Sequence, residues 1–240
     1  MAINLPGELA WVLNMLGYDW PEIDEDELRR GAGFTRDFKG DLEDAMAKAD
    51  AIINSDLNAS LEAGTARSFT DAWDENSQGN IAKMFELLEP ASEAMELFAD
   101  MVEALKLKVI AELVITAAQL AAAAATALLT AGLSAAANVA IIFARKKALT
   151  FATNYMIEQL IAAILPMVIE PLTNTLMTLV DRMLDAPTTQ GMIGDPREYK
   201  ADLDALELVA SDLDASGLDQ ERVTDDYLDR MSSLQIITGG

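Results

Sequence analysis

The acidic run at residues 212–217 has the residue types with which a calcium-binding loop begins. Oxygen-bearing side chains stand at its first, third and fifth places, and Gly217 stands at its sixth. Such a loop closes with a bidentate Glu at the twelfth place, where this sequence has Val223. A calcium site without that ligand would be weak, so we prefer another interpretation. Gly217 is expected to end one helix and Asp219 to cap the next.

Two missing residue types limit the remaining side-chain chemistry, because the sequence contains neither Cys nor His. Disulfides, zinc sites of the Cys/His kind, thiolate nucleophiles and imidazole general bases are therefore excluded. The Ser and Thr hydroxyls have no His to activate them. The isolated carboxylate of Glu158 is expected to be exposed or paired. We therefore expect no enzyme activity, no catalytic residues, no cofactor and no metal ion.

The charge of the chain is strongly negative and unevenly distributed. Forty acidic and 17 basic residues among 240 give a net charge of −23, which repels a phosphate backbone and excludes nucleic acid as a partner. Residues 1–104 carry −16, residues 105–185 carry +1 and residues 186–240 carry −8. We therefore predict an N-terminal arm with an amphipathic hairpin at 1–104. We expect apolar helices at 105–186 to pack on this hairpin and to form one continuous domain with it. A loop with acidic helices is expected at 187–240.

Apolar residues at steps of three and four predict an all-α fold. A short apolar helix is expected to end at Gly17, and a long helix with an acidic first turn follows it. Residues 54–64 are expected to form the turn of an antiparallel hairpin whose second helix runs to Leu105. The apolar stripe of the first hairpin helix consists of Phe34, Phe38, Leu42, Met46, Ala49, Ile53 and Leu57. The predicted architecture is an elongated antiparallel helical hairpin or bundle, with short acidic C-terminal helices at 198–213 and 220–231.

The middle of the chain is apolar, since residues 113–144 contain 14 alanines and no charged side chain. A stretch of this length could form a transmembrane helix. The alanine content and the regularly spaced polar residues are typical of helices that pack closely on one another. We favour a central Ala-rich helical hairpin with its corner at Gly132. The alternative is a membrane-inserting hairpin at 106–165, which would make the chain a pore-forming channel module.

The N-terminal segment does not have the composition of a secretory signal peptide. Residues 1–20 contain Glu8 and Asp19 but no Lys or Arg, whereas a signal peptide begins with a basic region. If the protein is secreted, it therefore uses a route that does not read such a signal.

The stretch at residues 64–73 resembles the WXG superfamily of type VII secretion substrates. In that family a Trp-X-Gly turn is followed by small residues and by a Phe five places beyond the Gly. Gly64, Ala66 and Phe69 match this pattern, and Glu62 stands where the family has Trp. Trp73 lies four residues after Phe69, so both side chains are expected on one helical face. The resemblance implies that Gly64, Ala66, Phe69 and Trp73 mark a partner-binding surface.

Two further regions resemble a long subgroup of this family. They are residues 5–22 and the passage from Val102 and Glu103 through Lys106 into the Ala-rich stretch. The subgroup forms the N-terminal regions of actinobacterial polymorphic toxins, among them the channel protein that carries the tuberculosis necrotizing toxin.

The resemblance implies a non-enzymatic export-targeting module. It would pair with a small WXG-like helical protein and be recognised by the type VII secretion machinery, which places it outside the cell or at the cell envelope. The family's secretion tag, Tyr-x-x-x-Asp/Glu, fits only Tyr18 with Glu22, so we expect a partner to supply the tag. Since the sequence ends at Gly240 without a toxin-like domain, we expect a longer toxin or effector. A third interpretation is a secreted scaffold whose helices assemble only with each other.

Overall fold

A computed structural model describes residues 2–60, 69–71, 73, 74, 77, 81–127, 134–169, 171 and 202–238. Its principal helices are α1 (Ala10–Leu16), α2 (Glu25–Ala51), α3 (Ala82–Ala127), α4 (Ser134–Ile164) and α5 (Leu203–Ser232). These residues form no β-strand, and their one β contact is an isolated bridge between Ile23 and Ile237. The predicted all-α class is confirmed. Gly132 and the residues expected to form a loop after residue 186 lie outside the described ranges.

Helix α1 ends where the sequence predicts. Gly17 adopts a left-handed conformation with φ 57°, and its N–H donates to the Asn14 carbonyl at 3.1 Å. This conformation suits Gly because a side chain there would be strained. The helix buries Val12, Leu13 and Leu16.

Helix α2 begins with a capped, acidic first turn. The Asp24 carboxylate accepts hydrogen bonds from the backbone N–H groups of Asp26 at 2.9 Å and Glu27 at 3.1 Å. A carboxylate at this place satisfies N–H groups that have no partner inside the helix. The predicted apolar stripe is buried at Phe38, Leu42, Met46, Ala49, Ile53 and Leu57.

The turn predicted at residues 54–64 is wrong over the part that the structure describes. Helical structure continues beyond α2 as a π-helical stretch, Ile52–Leu57, and a short helical stretch, Asn58–Ser60. The polar side chains here bond within the helix: the Ser55 and Ser60 hydroxyls donate to the carbonyls four residues earlier, each at 2.6 Å. These polar groups have hydrogen-bond partners, and the apolar stripe continues into the core. Helical structure therefore continues through residues 54–60, although their composition is typical of a loop.

The described chain divides into two compact units. Unit 1 comprises Met1–Arg30, Ala94–Leu165 and Leu234–Gly240, and its core joins α1 to α3 and α4. The buried members of this core are Val12, Leu13, Leu16, Val109, Leu113 and Leu149. Unit 2 comprises Gly31–Glu93 and Pro166–Ser233. Its core is centred on Ile53, Leu57 and Val209.

The C-terminal region is one helix, so the prediction of two short helices with a turn at Gly217 is wrong. Helix α5 spans 30 residues, begins at an Asp202 cap that accepts the Ala205 N–H at 3.1 Å, and passes through Gly217. Asp212 and Asp214 are therefore helical residues and do not form the first places of a calcium loop. Val209 and Ser216 are buried along this helix, and packing of this kind keeps a helix continuous across a glycine.

Candidate functional site

Phe69 and Trp73, the described members of the predicted partner-binding surface, lie in unit 2. Both are partly buried and pack against the cluster of Ile53, Leu57 and Val209. The Trp73 indole N–H also donates to the Asp50 carboxylate at 3.1 Å. The structure therefore brings these two side chains together in contact with the end of α2 and with α5. Gly64 and Ala66 lie outside the described residues.

Sequence reasoning did not anticipate that α5 packs along α2. Tyr227 stacks on Phe38 with ring centroids 4.3 Å apart, and the Tyr227 hydroxyl lies 3.2 Å from the Thr35 hydroxyl. Arg230 lies over the Phe34 ring at 4.1 Å and donates to the Asp37 carboxylate at 2.7 Å. These contacts cover part of the apolar stripe of α2.

The same pairing continues along α5 in the antiparallel sense. Lys48 donates to Asp219 at 3.0 Å, and the Asp202 N–H donates to the Ser60 carbonyl at 3.1 Å. Later residues of α2 thus meet earlier residues of α5. The apolar spacing of Leu206, Val209 and Leu213 is a signal that could have indicated a packed helix. It does not identify the helix that α5 meets.

A buried ion pair joins the start of α2 to α3 in unit 1. The Lys106 ammonium lies 2.6 Å from the Glu25 carboxylate, and both side chains are at most 3% exposed. The backbone N–H of Ile3 donates to the same carboxylate, which ties the N-terminal arm to this pair. Burial alone would raise the pKa of Glu25, but the hydrogen bonds from Ile3 and Lys106 outweigh it and lower that pKa.

A second ionic cluster joins α3 to α4. Glu112 lies 3.0 Å from Lys108 and 2.7 Å from Arg145. The hydrogen bond from Lys108, together with the positive charges of Lys108 and Arg145, lowers the pKa of Glu112 against its burial. Arg145, the first charged residue after the apolar stretch, therefore binds α4 to α3.

Each unit has a concave site. In unit 1 an apolar cavity of about 230 Å³ lies beside the hydrogen-bonded hydroxyls of Tyr18 and Thr153, with Val102, Leu105 and Leu160 among its lining residues. In unit 2 a groove of about 450 Å³ is lined by Lys48, Ile52, Asp212, Ala215, Ser216, Leu218, Asp219 and Arg222. Within the described ranges, no three acidic side chains converge as metal ligands would.

Helix α4 presents a broad apolar surface to solvent, which we call the α4 outer face. Its large apolar members are Val139, Phe143, Phe151, Tyr155, Ile157 and Ile161, which are 48–72% exposed. Among the residues that the structure describes, two segments, Ala82–Ala124 and Val139–Met167, are long and apolar enough to cross a membrane. In the most apolar 18-residue stretch of each segment, 28% of the residues are buried in the first segment and 6% in the second. The second segment therefore resembles the core helix of a soluble protein much less than the first does.

Comparison with known proteins gives a family match. A family model described as WXG100 like domain matches residues 4–146, more than half of the chain. This range contains α1, α2, α3 and the beginning of α4, and it ends before α5. No curated protein and no solved structure matches the chain.

Proposed function

The chain belongs to the WXG100-like domain family, and from this premise we propose that it is the export-targeting and partner-binding module of a type VII secreted toxin or effector. The family is a helical, secretion-related one, which associates the chain with a route that needs no signal peptide. The proposal adds that the chain is not an enzyme and that a small WXG-like helical protein pairs with it. The toxin or effector part would lie in a longer protein, secreted or held at the cell envelope.

The observation that carries this proposal is the extent of the family match, residues 4–146, over a chain whose described part is helical there. The composition of the chain also supports it. The net charge of −23 is unfavourable for an enzyme that acts on nucleic acid. The absence of His and Cys is unfavourable for a zinc enzyme, so the composition fits a protein-binding module better.

We place the partner-binding surface at Gly64, Ala66, Phe69 and Trp73, by the resemblance to the family's turn region. Of these, Trp73 is partly exposed beside the unit 2 core. A large aromatic side chain at such a position can anchor a partner helix.

The test is to produce Trp73→Ala and to measure both export and co-purification with a small WXG-like helical protein expressed together with it. We expect the variant to remain helical by circular dichroism and to lose the partner. Trp11→Ala is the matched control, because Trp11 is 50% exposed and lies on α1. Full partner binding and export by folded Trp73→Ala would remove this surface from the proposal.

A second candidate function is a membrane-inserting channel module at 106–165. The observation that favours it is the low burial of the apolar segment Val139–Met167. Detergent-free purification followed by a dye-leakage assay on phospholipid vesicles tests it. Spontaneous leakage at neutral pH would support the channel, and a soluble protein with background leakage would contradict it.

A further inference from the structure

Helix α4 has two different sides. Ile142 and Leu149 face the unit 1 core, and the Thr153 hydroxyl, on the same side, bonds to Tyr18. At 100° per residue, Phe151 and Tyr155 fall on the opposite side of the helix, and the other members of the α4 outer face fall on one flank between the two sides. The α4 outer face is therefore wide, and it is apolar and exposed, with Phe151 and Tyr155 stacked on each other at 6.4 Å.

Two charged side chains, Lys147 and Glu158, lie near the middle of the α4 outer face. They are 11 residues apart, which is three helical turns, so they stand on one line along the helix about 16 Å apart. Both are exposed, and neither forms an ion pair with another described residue. The face thus carries one positive and one negative charge, separated by an aromatic pair.

We propose that the α4 outer face is an interface between two copies of this chain, with the two α4 helices antiparallel. A two-fold axis at the level of residues 152 and 153 would bring Lys147 of each copy opposite Glu158 of the other. The pair of Phe151 and Tyr155 would lie beside the axis and meet the same pair of the second copy. Apolar residues toward one end of the face, such as Phe143, would meet those toward the other, such as Ile161.

The size and charge of the face are suited to such an interface. Its six large apolar side chains each expose on the order of 100 Å², which together approaches the roughly 800 Å² per partner of a standard interface. Exposed aromatic side chains at the centre are typical of residues that dominate binding. Helix α4 contains three basic residues and one acidic residue, whereas α2, α3 and α5 are net acidic. Self-repulsion of a chain with net charge −23 is therefore weakest here.

Lipid is the competing occupant of this face, and the two charges favour a second copy. In a bilayer both Lys147 and Glu158 would lie within the span Val139–Met167, where unpaired charges are costly. Between two copies each charge meets its opposite, and the pairing selects the antiparallel register.

The test is the oligomeric state of the full chain, measured by sedimentation velocity and light scattering across the micromolar range. We expect a dimer for the native chain. Lys147→Glu and Glu158→Lys, made singly, should each raise the dimer dissociation constant at least about tenfold, because like charges would then face each other twice. The double variant, which swaps the two charges, should restore the native dissociation constant. Lys83→Glu, the same charge change on α3, is the control and should leave dimerisation unchanged.

Three results would overturn the proposal. The native chain could remain a monomer at the highest concentration. The dimer could be insensitive to both single charge reversals, which would assign it to another surface. The double variant could fail to recover, which would show that the two charges do not meet. Binding of a monomeric native chain to phospholipid vesicles would assign the face to lipid. None of these measurements depends on the export function proposed above.

Discussion

At the scale of single residues, the most constrained group is the pair of Glu25 and Lys106. Two charges removed from water are stable only when they satisfy each other, and here the Ile3 N–H supplies a further hydrogen bond to the carboxylate. The pair therefore specifies where the N-terminal arm and the start of α2 meet α3. Pairs at the surface, such as Arg222 with Asp219, are exposed and contribute far less.

Removing one member of the buried pair is expected to be much worse than removing both. Lys106→Met should lower the free energy of unfolding by about 3–5 kcal/mol, since it leaves the Glu25 carboxylate buried without its counter-charge. The double variant Glu25→Gln with Lys106→Met should recover most of that loss. Urea denaturation measures both, and Lys83→Met, the same change at a lysine of α3 that lies outside the two ionic clusters, is the control. Equal loss in the single and double variants would show that the pair is not coupled.

The lowered pKa of Glu25 predicts a particular pH dependence. A carboxyl whose pKa is lower in the folded chain stabilises that state fully above its ordinary value of 4.5, and this contribution is lost as the pH falls through the lower folded value. The difference in unfolding free energy between the native chain and Glu25→Gln should therefore be constant above about pH 5 and shrink below it. Urea titrations at several pH values measure this difference. A difference that grew on acidification would contradict the assignment.

At the scale of elements, the contrast between two glycines shows what the surroundings of a residue decide. Gly17 ends α1 with φ 57°, and a Cβ there would lie 3.2 Å from the Lys146 ammonium nitrogen. Gly217 lies within α5 without a positive φ, and a Cβ there would meet nothing within 4 Å. One glycine is required by its conformation, whereas the other only weakens its helix.

Opposite effects are therefore expected from the same substitution at these two positions. Gly217→Ala should raise the free energy of unfolding by about 0.5–1 kcal/mol, because Ala favours a helix interior. Gly17→Ala should lower it by about 1–2 kcal/mol, since Ala pays for the left-handed conformation. Thermal and urea denaturation measure both. Destabilisation by Gly217→Ala would support a turn in α5.

The continuity of α5 also bears on calcium. Asp212 and Asp214 lie on a helix, which does not bring their carboxylates around one ion as a loop does. Millimolar calcium is therefore expected to leave the melting temperature unchanged. A calcium-dependent rise that disappears in Asp212→Ala would contradict this.

At the scale of the whole molecule, charge is the dominant feature. With 40 acidic and 17 basic residues, repulsion among acidic groups opposes the compact state. Ion pairs such as Arg29 with Asp100 and Glu103 act in the opposite sense, but exposed pairs each contribute only about 0–1 kcal/mol. We expect the repulsion to outweigh them.

Salt should therefore stabilise the protein. Raising sodium chloride from low ionic strength to about 0.5 M shortens the distance over which charges interact to a few ångströms. The repulsion between acidic groups is then weaker, so the melting temperature should rise. Differential scanning calorimetry measures it, and sodium sulfate at equal ionic strength separates screening from general salt effects. A fall in melting temperature would show that the ion pairs outweigh the repulsion.

The sequence by itself determined the helical class, the end of α1 at Gly17, the acidic first turn of α2 and the apolar stripe of α2. These follow from local rules: apolar spacing, the preference of glycine for a left-handed cap, and the interaction of acidic groups with helix N-termini. The resemblance at residues 64–73 and 5–22 also indicated the family, which the match at 4–146 confirms.

Only the tertiary structure decided where the helices continue and what they meet. Residues 54–60 and Gly217 have the composition of turns, yet burial of Ile53, Leu57 and Val209 keeps these segments helical. The pairing of α5 with α2, of Lys106 with Glu25 and of Arg145 with Glu112 joins residues more than 30 positions apart. Such pairings depend on which faces fit together in space. The spacing of residues in one helix shows whether a face of that helix is apolar or charged. It does not show which other helix packs against that face.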